Sequence, residues 1–179
     1  MNVKRFRMIC KISSYVLKGT AILSLLIVSL GLIQVLIGNS NIWFTFEMPD
    51  FSMIFVSGGF INDIESQKKL AAAIISPILV MVYAFILWQG GNLFKRLSNG
   101  ETPFSRKFAE SLKQLSLVLI LSDITLPLLY SLILSSTIEH GNHIEVGITY
   151  WFVIGILLYV ISEIFFYGIE LQQLADETV

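Results

Sequence analysis

The fold is decided by a polar and basic stretch, Trp88-Gln-Gly-Gly-Asn-Leu-Phe-Lys-Arg-Leu-Ser-Asn-Gly-Glu-Thr-Pro-Phe-Ser-Arg-Lys-Phe-Ala-Glu-Ser-Leu-Lys-Gln-Leu115. It separates the apolar runs 70–87 and 115–134, and two further apolar runs, 20–37 and 150–167, lie outside those. A helix needs about 20 apolar residues to cross the hydrocarbon core of a bilayer. The pattern therefore predicts four membrane-spanning helices folded about a central hairpin.

Composition supports a membrane protein of one domain. The 179 residues are 55% hydrophobic and 14% charged, with a mean hydropathy of +0.75, whereas soluble domains carry about 25% charged residues. The net charge of −1 gives no electrostatic footprint for direct binding of nucleic acid. Cys10 is the only cysteine, which excludes an intrachain disulfide.

The positions of the cations predict the orientation. Five of the twelve Lys and Arg residues precede the first span, five lie in the 88–114 loop and two lie at 68–69, while 136–148 and the tail have none. The positive-inside rule places the 88–114 loop and both termini in the cytoplasm. The predicted fold is an all-α, up-down bundle with spans of about 20–37, 70–87, 115–135 and 149–167 and an extracellular loop over 38–69.

Two segments on the outer side have distinct patterns. Residues 42–48 and 51–56 are rich in β-branched and aromatic residues and are separated by Pro49-Asp50, which predicts a small β-hairpin or extended segment. The 136–148 loop carries Glu139, His140, His143 and Glu145, but a metal site needs fixed geometry. We therefore predict a flexible polar loop and no metal.

The central stretch predicts a binding face on the cytoplasmic side. Ser98-Asn-Gly100 is a helix stop, and Thr102 or Ser105 can cap a following amphipathic helix. The basic face of that helix suits anionic lipid or a cytoplasmic partner. The predicted face comprises Lys95, Arg96, Phe104, Arg106, Lys107 and Lys113.

Polar residues within the spans form the second candidate site, which comprises Asp123, Glu163, Tyr130, Tyr159 and Ser116. Ionisable groups in a membrane are costly and mark function by default. If the third and fourth helices are antiparallel neighbours, we expect both acids at similar depth, as a proton- or cation-responsive pair with one acid neutral. The alternatives are interhelical hydrogen bonds or an ion pair of Glu163 with Lys113 or Arg96, and we favour these static interactions.

Two motifs carry a family resemblance. Gly100-Glu-Thr-Pro-Phe-Ser105 and the segment from Ser162 to Val179 resemble the bacterial family of four-span membrane proteins called domain of unknown function 2975. Phe166 stands where that family often has an arginine. Since the family consists of bacterial membrane proteins, the resemblance implies the bacterial cytoplasmic membrane. Members are often encoded beside a small helix-turn-helix regulator, so the resemblance also implies a link to gene regulation. The C-terminal motif contributes Tyr167, Gly168, Glu170, Gln172, Asp176 and Glu177.

The expected function is non-enzymatic, since no Ser-His-Asp set, phosphate loop or metalloprotease motif occurs and no cofactor is implied. The first hypothesis is a protein of regulation, signalling or self-protection (immunity) that sequesters or signals to a small regulator at its cytoplasmic face. The second is a small transporter or channel using Asp123 and Glu163, as a homo-oligomer because four helices enclose little aqueous volume. The third is an accessory subunit of a larger membrane complex.

Overall fold

The computed structural model describes residues 3–36, 52–58, 65–137 and 144–177. In chain order the elements are α1 (Val3–Leu36), β1 (Ser52–Gly58), α2 (Glu65–Ser98), α3 (Arg106–Thr137), β2 (Ile144–Thr149) and α4 (Tyr150–Glu177). Each helix contains a segment long and apolar enough to cross a membrane, with mean hydropathies of 1.8 to 2.2. The prediction of four such helices is confirmed.

All four helices run beyond the predicted spans. α1 begins at Val3 and includes the basic lead-in, and α2 continues through the polar residues that follow Trp88 to Ser98. Lys, Arg, Gln and Met are good helix formers, so the helical backbone continues where the apolar run has ended. Hydropathy therefore located the spans and underestimated the helices.

The turn between α2 and α3 has the predicted signals. Gly100 has a φ of 95°, the left-handed conformation that ends many helices and that glycine adopts without steric cost. Of the two predicted caps, Ser105 is the N-cap of α3. Its Oγ accepts a hydrogen bond from the amide of Phe108 at 3.3 Å. We call this extremity of the helices the turn end and the extremity with the strands the sheet end.

Small residues bring α1 and α2 together. The buried positions of α1 include Cys10, Ser14 and Ala21, and Ser14 Oγ donates a hydrogen bond to the carbonyl of Gly91 at 2.7 Å. A β-carbon on Gly91 would lie 2.9 Å from Cγ of Lys18. Close approach through small residues is the usual way that helices pack in lipid, where hydrophobicity does not drive association.

The main apolar contacts lie between consecutive helices, α1 with α2, α2 with α3 and α3 with α4. One buried cluster joins α2 and α3 and comprises Ala71, Ile75, Tyr130 and Leu134. The other lies nearer the turn end and comprises Leu93, Phe108, Leu112 and Leu115, with Leu158 and Phe165 of α4 packed against it. α4 approaches α3 closely at Gly155, where an added β-carbon would lie 2.7 Å from Cγ1 of Ile120.

The strands correct the prediction for the outer segments. β1 falls where an extended segment was predicted, but it pairs antiparallel with β2, which lies in the loop predicted to be flexible. The register joins Gly58 to Ile144 and Ser52 to Thr149, with an irregularity between Ser52 and Ile54. Residues 42–48, the other half of the predicted hairpin, lie outside the described residues.

Candidate functional site

The carboxylate of Asp123 accepts hydrogen bonds from the residue that directly precedes α4, at the sheet end. Its Oδ2 accepts the backbone amide of Thr149 at 2.8 Å, and its Oδ1 accepts the hydroxyl of Thr149 at 2.5 Å. Thr149 Oγ1 in turn accepts the amide of Trp151 at 3.2 Å, which makes Thr149 the N-cap of α4. The carboxylate also lies near the positive end of the helix dipole. Asp123 therefore joins α3 to the cap of α4.

An aromatic contact lies beside this group. The ring centroids of Tyr83 on α2 and Trp151 on α4 are 6.0 Å apart, at an interplanar angle of 56°. The pair connects α2 to the first turn of α4, whose N-cap binds Asp123. The sheet end is thus the place where side chains from α2, α3 and α4 and the backbone of β2 meet.

Glu163 is bound to Lys113 at the turn end. The Nζ of Lys113 lies 2.6 Å from Oε1 of Glu163, and both side chains are partly exposed. The same ammonium lies 5.1 Å from the ring centroid of Tyr159 and 5.7 Å from that of Phe166. This is the ion pair with Lys113 that the sequence offered as one alternative. The ring of Phe166 provides one face of the lysine site.

The expectation that the two acids lie at similar depth is wrong. Asp123 contacts Thr149, which precedes Glu163 by fourteen residues, or about 21 Å along a helix at 1.5 Å per residue. A single antiparallel register relates α3 and α4, since Lys113 meets Glu163 and Asp123 meets Thr149. Each acid has its own partner, and the structure does not bring them together as a carboxylate pair.

The other predicted intramembrane residues serve packing. Ser116 is fully buried opposite Gly155, and its hydroxyl bonds to the carbonyl of Lys113 in its own helix at 2.7 Å. Tyr130 belongs to the buried cluster between α2 and α3. Neither residue shares a cluster with Asp123 or Glu163.

In the predicted face at the turn end, the two arginines have partners and two of the lysines are exposed. Arg96 joins α2 to α3, since its Nη1 lies 2.9 Å from the hydroxyl of Ser111 and 3.4 Å from the carbonyl of Lys107. Arg106 pairs with Glu110 one turn along α3, at 3.2 Å. The side chains of Lys95 and Lys107 are exposed.

Phe104 connects this face to the C-terminal motif. Its ring is edge-on to that of Phe165, with centroids 5.5 Å apart, and a β-carbon on Gly168 would lie 3.3 Å from the ring. Because Gly168 has no side chain, the ring of Phe104 can pack directly against α4. The remaining motif residues are exposed along the last turns of α4, namely Tyr167, Glu170, Gln172, Asp176 and Glu177.

Sequence reasoning missed two residues that build these sites. Thr149 was assigned to the start of the fourth span, although a threonine directly before an apolar helix is an N-cap signal. Gly155 had no such signal, because only its contact with Ile120 shows why a side chain is excluded there. His140 and His143 lie outside the described residues, and within those residues no group of three or more His, Cys, Asp or Glu is placed to hold a metal.

The chain was compared with known proteins in three ways. No curated protein and no solved structure matches it. A family model does match, over residues 42–179, which includes both motifs identified from the sequence. The chain belongs to the family described as protein of unknown function (DUF2975).

Proposed function

We propose that this protein is a non-enzymatic membrane protein of regulation or self-protection, and that the end of α4 binds a small helix-turn-helix regulator in the bacterial cytoplasm. The partner class comes from the family resemblance, whose members are often encoded beside such a regulator. Binding would hold the regulator at the membrane and away from DNA. The turn end is the surface that supports this proposal.

Charge supports a cytoplasmic turn end. The basic start of α1 lies there, since a β-carbon on Gly100 would come within 2.9 Å of the Arg7 guanidinium. Lys95, Arg96 and Lys107 lie at the same extremity. Clusters of Lys and Arg beside membrane helices favour the cytoplasmic side. The end of α4 is then cytoplasmic as well, because Gly168 lies against Phe104 of the turn.

The length of α4 carries the proposal. Its 28 residues correspond to about 42 Å of helix, whereas the hydrocarbon core is about 30 Å thick. About eight residues therefore project from the membrane, and every residue from 170 to 177 is exposed. We call residues 168–177 the α4 extension.

The α4 extension has the chemistry of a helix that binds a basic partner. Leu171 and Leu174 continue the face of Tyr167, which lies just before the extension, at spacings of four and three residues, and the leucines are 49% and 59% exposed. Glu170, Asp176 and Glu177 supply three negative charges, and the extension contains no cation. DNA-binding domains carry a basic surface, so apolar contact and charge complementarity act together.

The test is co-production with a small helix-turn-helix regulator of the kind encoded beside members of the family, followed by separation of membranes from soluble protein. We expect the regulator to sediment with membranes that contain the wild-type protein and to become soluble with Leu171→Ala/Leu174→Ala. The matched control is Gln172→Ala/Gln173→Ala, which alters the same exposed turn away from the apolar face. A regulator that stays soluble with the wild-type protein, or that is released equally by both variants, contradicts the proposal.

A further inference from the structure

A cleft lies between α1 and α2 at the turn end. It encloses about 190 Å³ and is lined by three lysines, Lys11, Lys18 and Lys95, together with the polar side chains of Tyr15, Ser98 and Asn99. Among the residues that the structure describes, no acidic side chain lines it. Since roughly 10–15 Å³ is enough to admit one water, the cleft has room for a group much larger than water.

The three ammonium groups have no carboxylate to neutralise them within the part of the chain that the structure describes. The ion pairs found there join Arg106 to Glu110 and Lys113 to Glu163, and both lie outside the cleft. Three lysines that line one cleft bring like charges near one another, and a bound anion relieves their repulsion. The cleft thus has the electrostatics of an anion site.

Capping of α2 does not account for the lysines. A cation near the end of a helix can bind its last carbonyls, but here backbone amides already do so. The carbonyls of Lys95, Arg96 and Leu97 accept hydrogen bonds from Asn99, Gly100 and Glu101 at 3.1 to 3.2 Å. These carbonyls therefore do not need the lysine ammonium groups as caps.

Direct packing fixes the shape of the cleft. The hydrogen bond from Ser14 to the carbonyl of Gly91 sets the separation of α1 and α2. The stem of Lys18 crosses α2 over Gly91, and its Nζ lies 5.0 Å from the ring centroid of Trp88. Tryptophan is enriched at the level of lipid headgroups, and Lys18 is the last cation before the first apolar run. The cleft therefore opens where headgroups lie.

We propose that this cleft binds the phosphate group of an anionic phospholipid, with Lys11 and Lys18 on one wall and Lys95 on the other. Basic pockets between membrane helices on the cytoplasmic side are the kind of site that takes lipid phosphate. Exposed apolar side chains of α1 beyond the cleft, such as Ile22 and Leu23, offer a surface for the acyl chains. The site requires no partner protein, so it stands or fails independently of the α4 extension.

The test uses fluorescence of Trp88 in vesicles. Trp43→Phe and Trp151→Phe leave Trp88 as the single tryptophan. Phosphatidylglycerol with brominated chains is compared with brominated phosphatidylcholine at equal mole fraction in a phosphatidylcholine bilayer. We expect the anionic lipid to quench with an apparent affinity at least about five-fold higher, the preference that one lysine contact provides.

Variants distinguish a site from general surface charge. Lys11→Gln/Lys95→Gln should abolish the preference for the anionic lipid, and Lys11→Arg/Lys95→Arg should retain it. The control Lys4→Gln/Lys107→Gln removes the same charge elsewhere and should also retain the preference. Melting temperatures of all variants show which are folded. Equal quenching by the two lipids in the wild-type background, or equal loss in both glutamine variants, overturns the proposal. Competition by inorganic phosphate beyond that of chloride at equal ionic strength would assign the site to free phosphate instead of lipid.

Discussion

Removal of the Asp123 carboxylate tests whether this buried acid serves assembly. In Asp123→Ala the amide and hydroxyl of Thr149 both lose their acceptor. A buried donor without a partner costs about 1–3 kcal/mol. The hydroxyl can rotate to another acceptor and the amide cannot, so we expect a loss of about 2–4 kcal/mol in the free energy of unfolding, of which the stranded amide accounts for most.

A double-mutant cycle isolates the contact between the two residues. Thr149→Ala removes the hydroxyl bond to Asp123 and the cap bond to Trp151, and loss of an N-cap costs about 0.5–2 kcal/mol. Both single variants remove the same hydroxyl–carboxylate bond. The free energy of unfolding lost in the double variant should therefore be smaller than the sum of the two single losses by about 1–2 kcal/mol. Interhelical contacts in membranes average about 0.6 kcal/mol, so this coupling would be large for its class.

Reversible unfolding in mixed micelles, with increasing sodium dodecyl sulfate, measures these free energies. Asp123→Asn should fall between the wild type and Asp123→Ala, because an amide can still accept from the Thr149 backbone but lacks the charge. The matched control is Thr125→Ala on α3, whose hydroxyl bonds to the carbonyl of Leu121 in its own helix. The reasoning is refuted if Asp123→Ala costs no more than Thr125→Ala, or if the effects of Asp123→Ala and Thr149→Ala add.

Three further predictions use the same unfolding assay. Gly155→Ala should lower the free energy of unfolding by about 1–3 kcal/mol, since overpacking against Ile120 separates α3 from α4. The control Gly19→Ala, with open space around the glycine, should leave that free energy unchanged or higher. Gly100→Ala should cost about 1–2 kcal/mol because its φ of 95° disfavours a side chain; an unchanged stability would show that the turn can relax. Lys113→Glu and Glu163→Lys should each lower the free energy of unfolding, and the double reversal should restore much of it. A double variant as unstable as the worse single one would exclude a direct pair.

Apolar length was sufficient to predict the helices, and local chemistry was sufficient for the turn. The run 115–134 and Gly100 each act within a few residues, so the sequence around them contains the whole cause. Hydropathy alone does not locate the ends of the helices, because lysine and arginine favour helix as well as apolar residues do. α1 accordingly begins at Val3, well before its apolar run.

Pairings between distant segments were not predictable from one sequence. The extended character of β1 is local, but its partner β2 lies about ninety residues away, and alternation of residue types does not specify which strand a segment joins. The acids illustrate the same point. The sequence offered Lys113 as one of two ion-pair partners of Glu163, but Thr149 was not predicted as the partner of Asp123, because that contact depends on the register of α3 against α4.

That register gives each intramembrane acid a partner of its own. Asp123 is bonded to the cap of α4 and Glu163 to Lys113. Small residues meanwhile bring α1 against α2, and α3 against α4, closely enough that a methyl group on Gly91 or Gly155 would clash. The polar groups in the bundle therefore hold the helices together, and the exposed charges at the turn end remain for ligands. The cationic cleft and the acidic α4 extension have opposite charge, so they suit two different ligands.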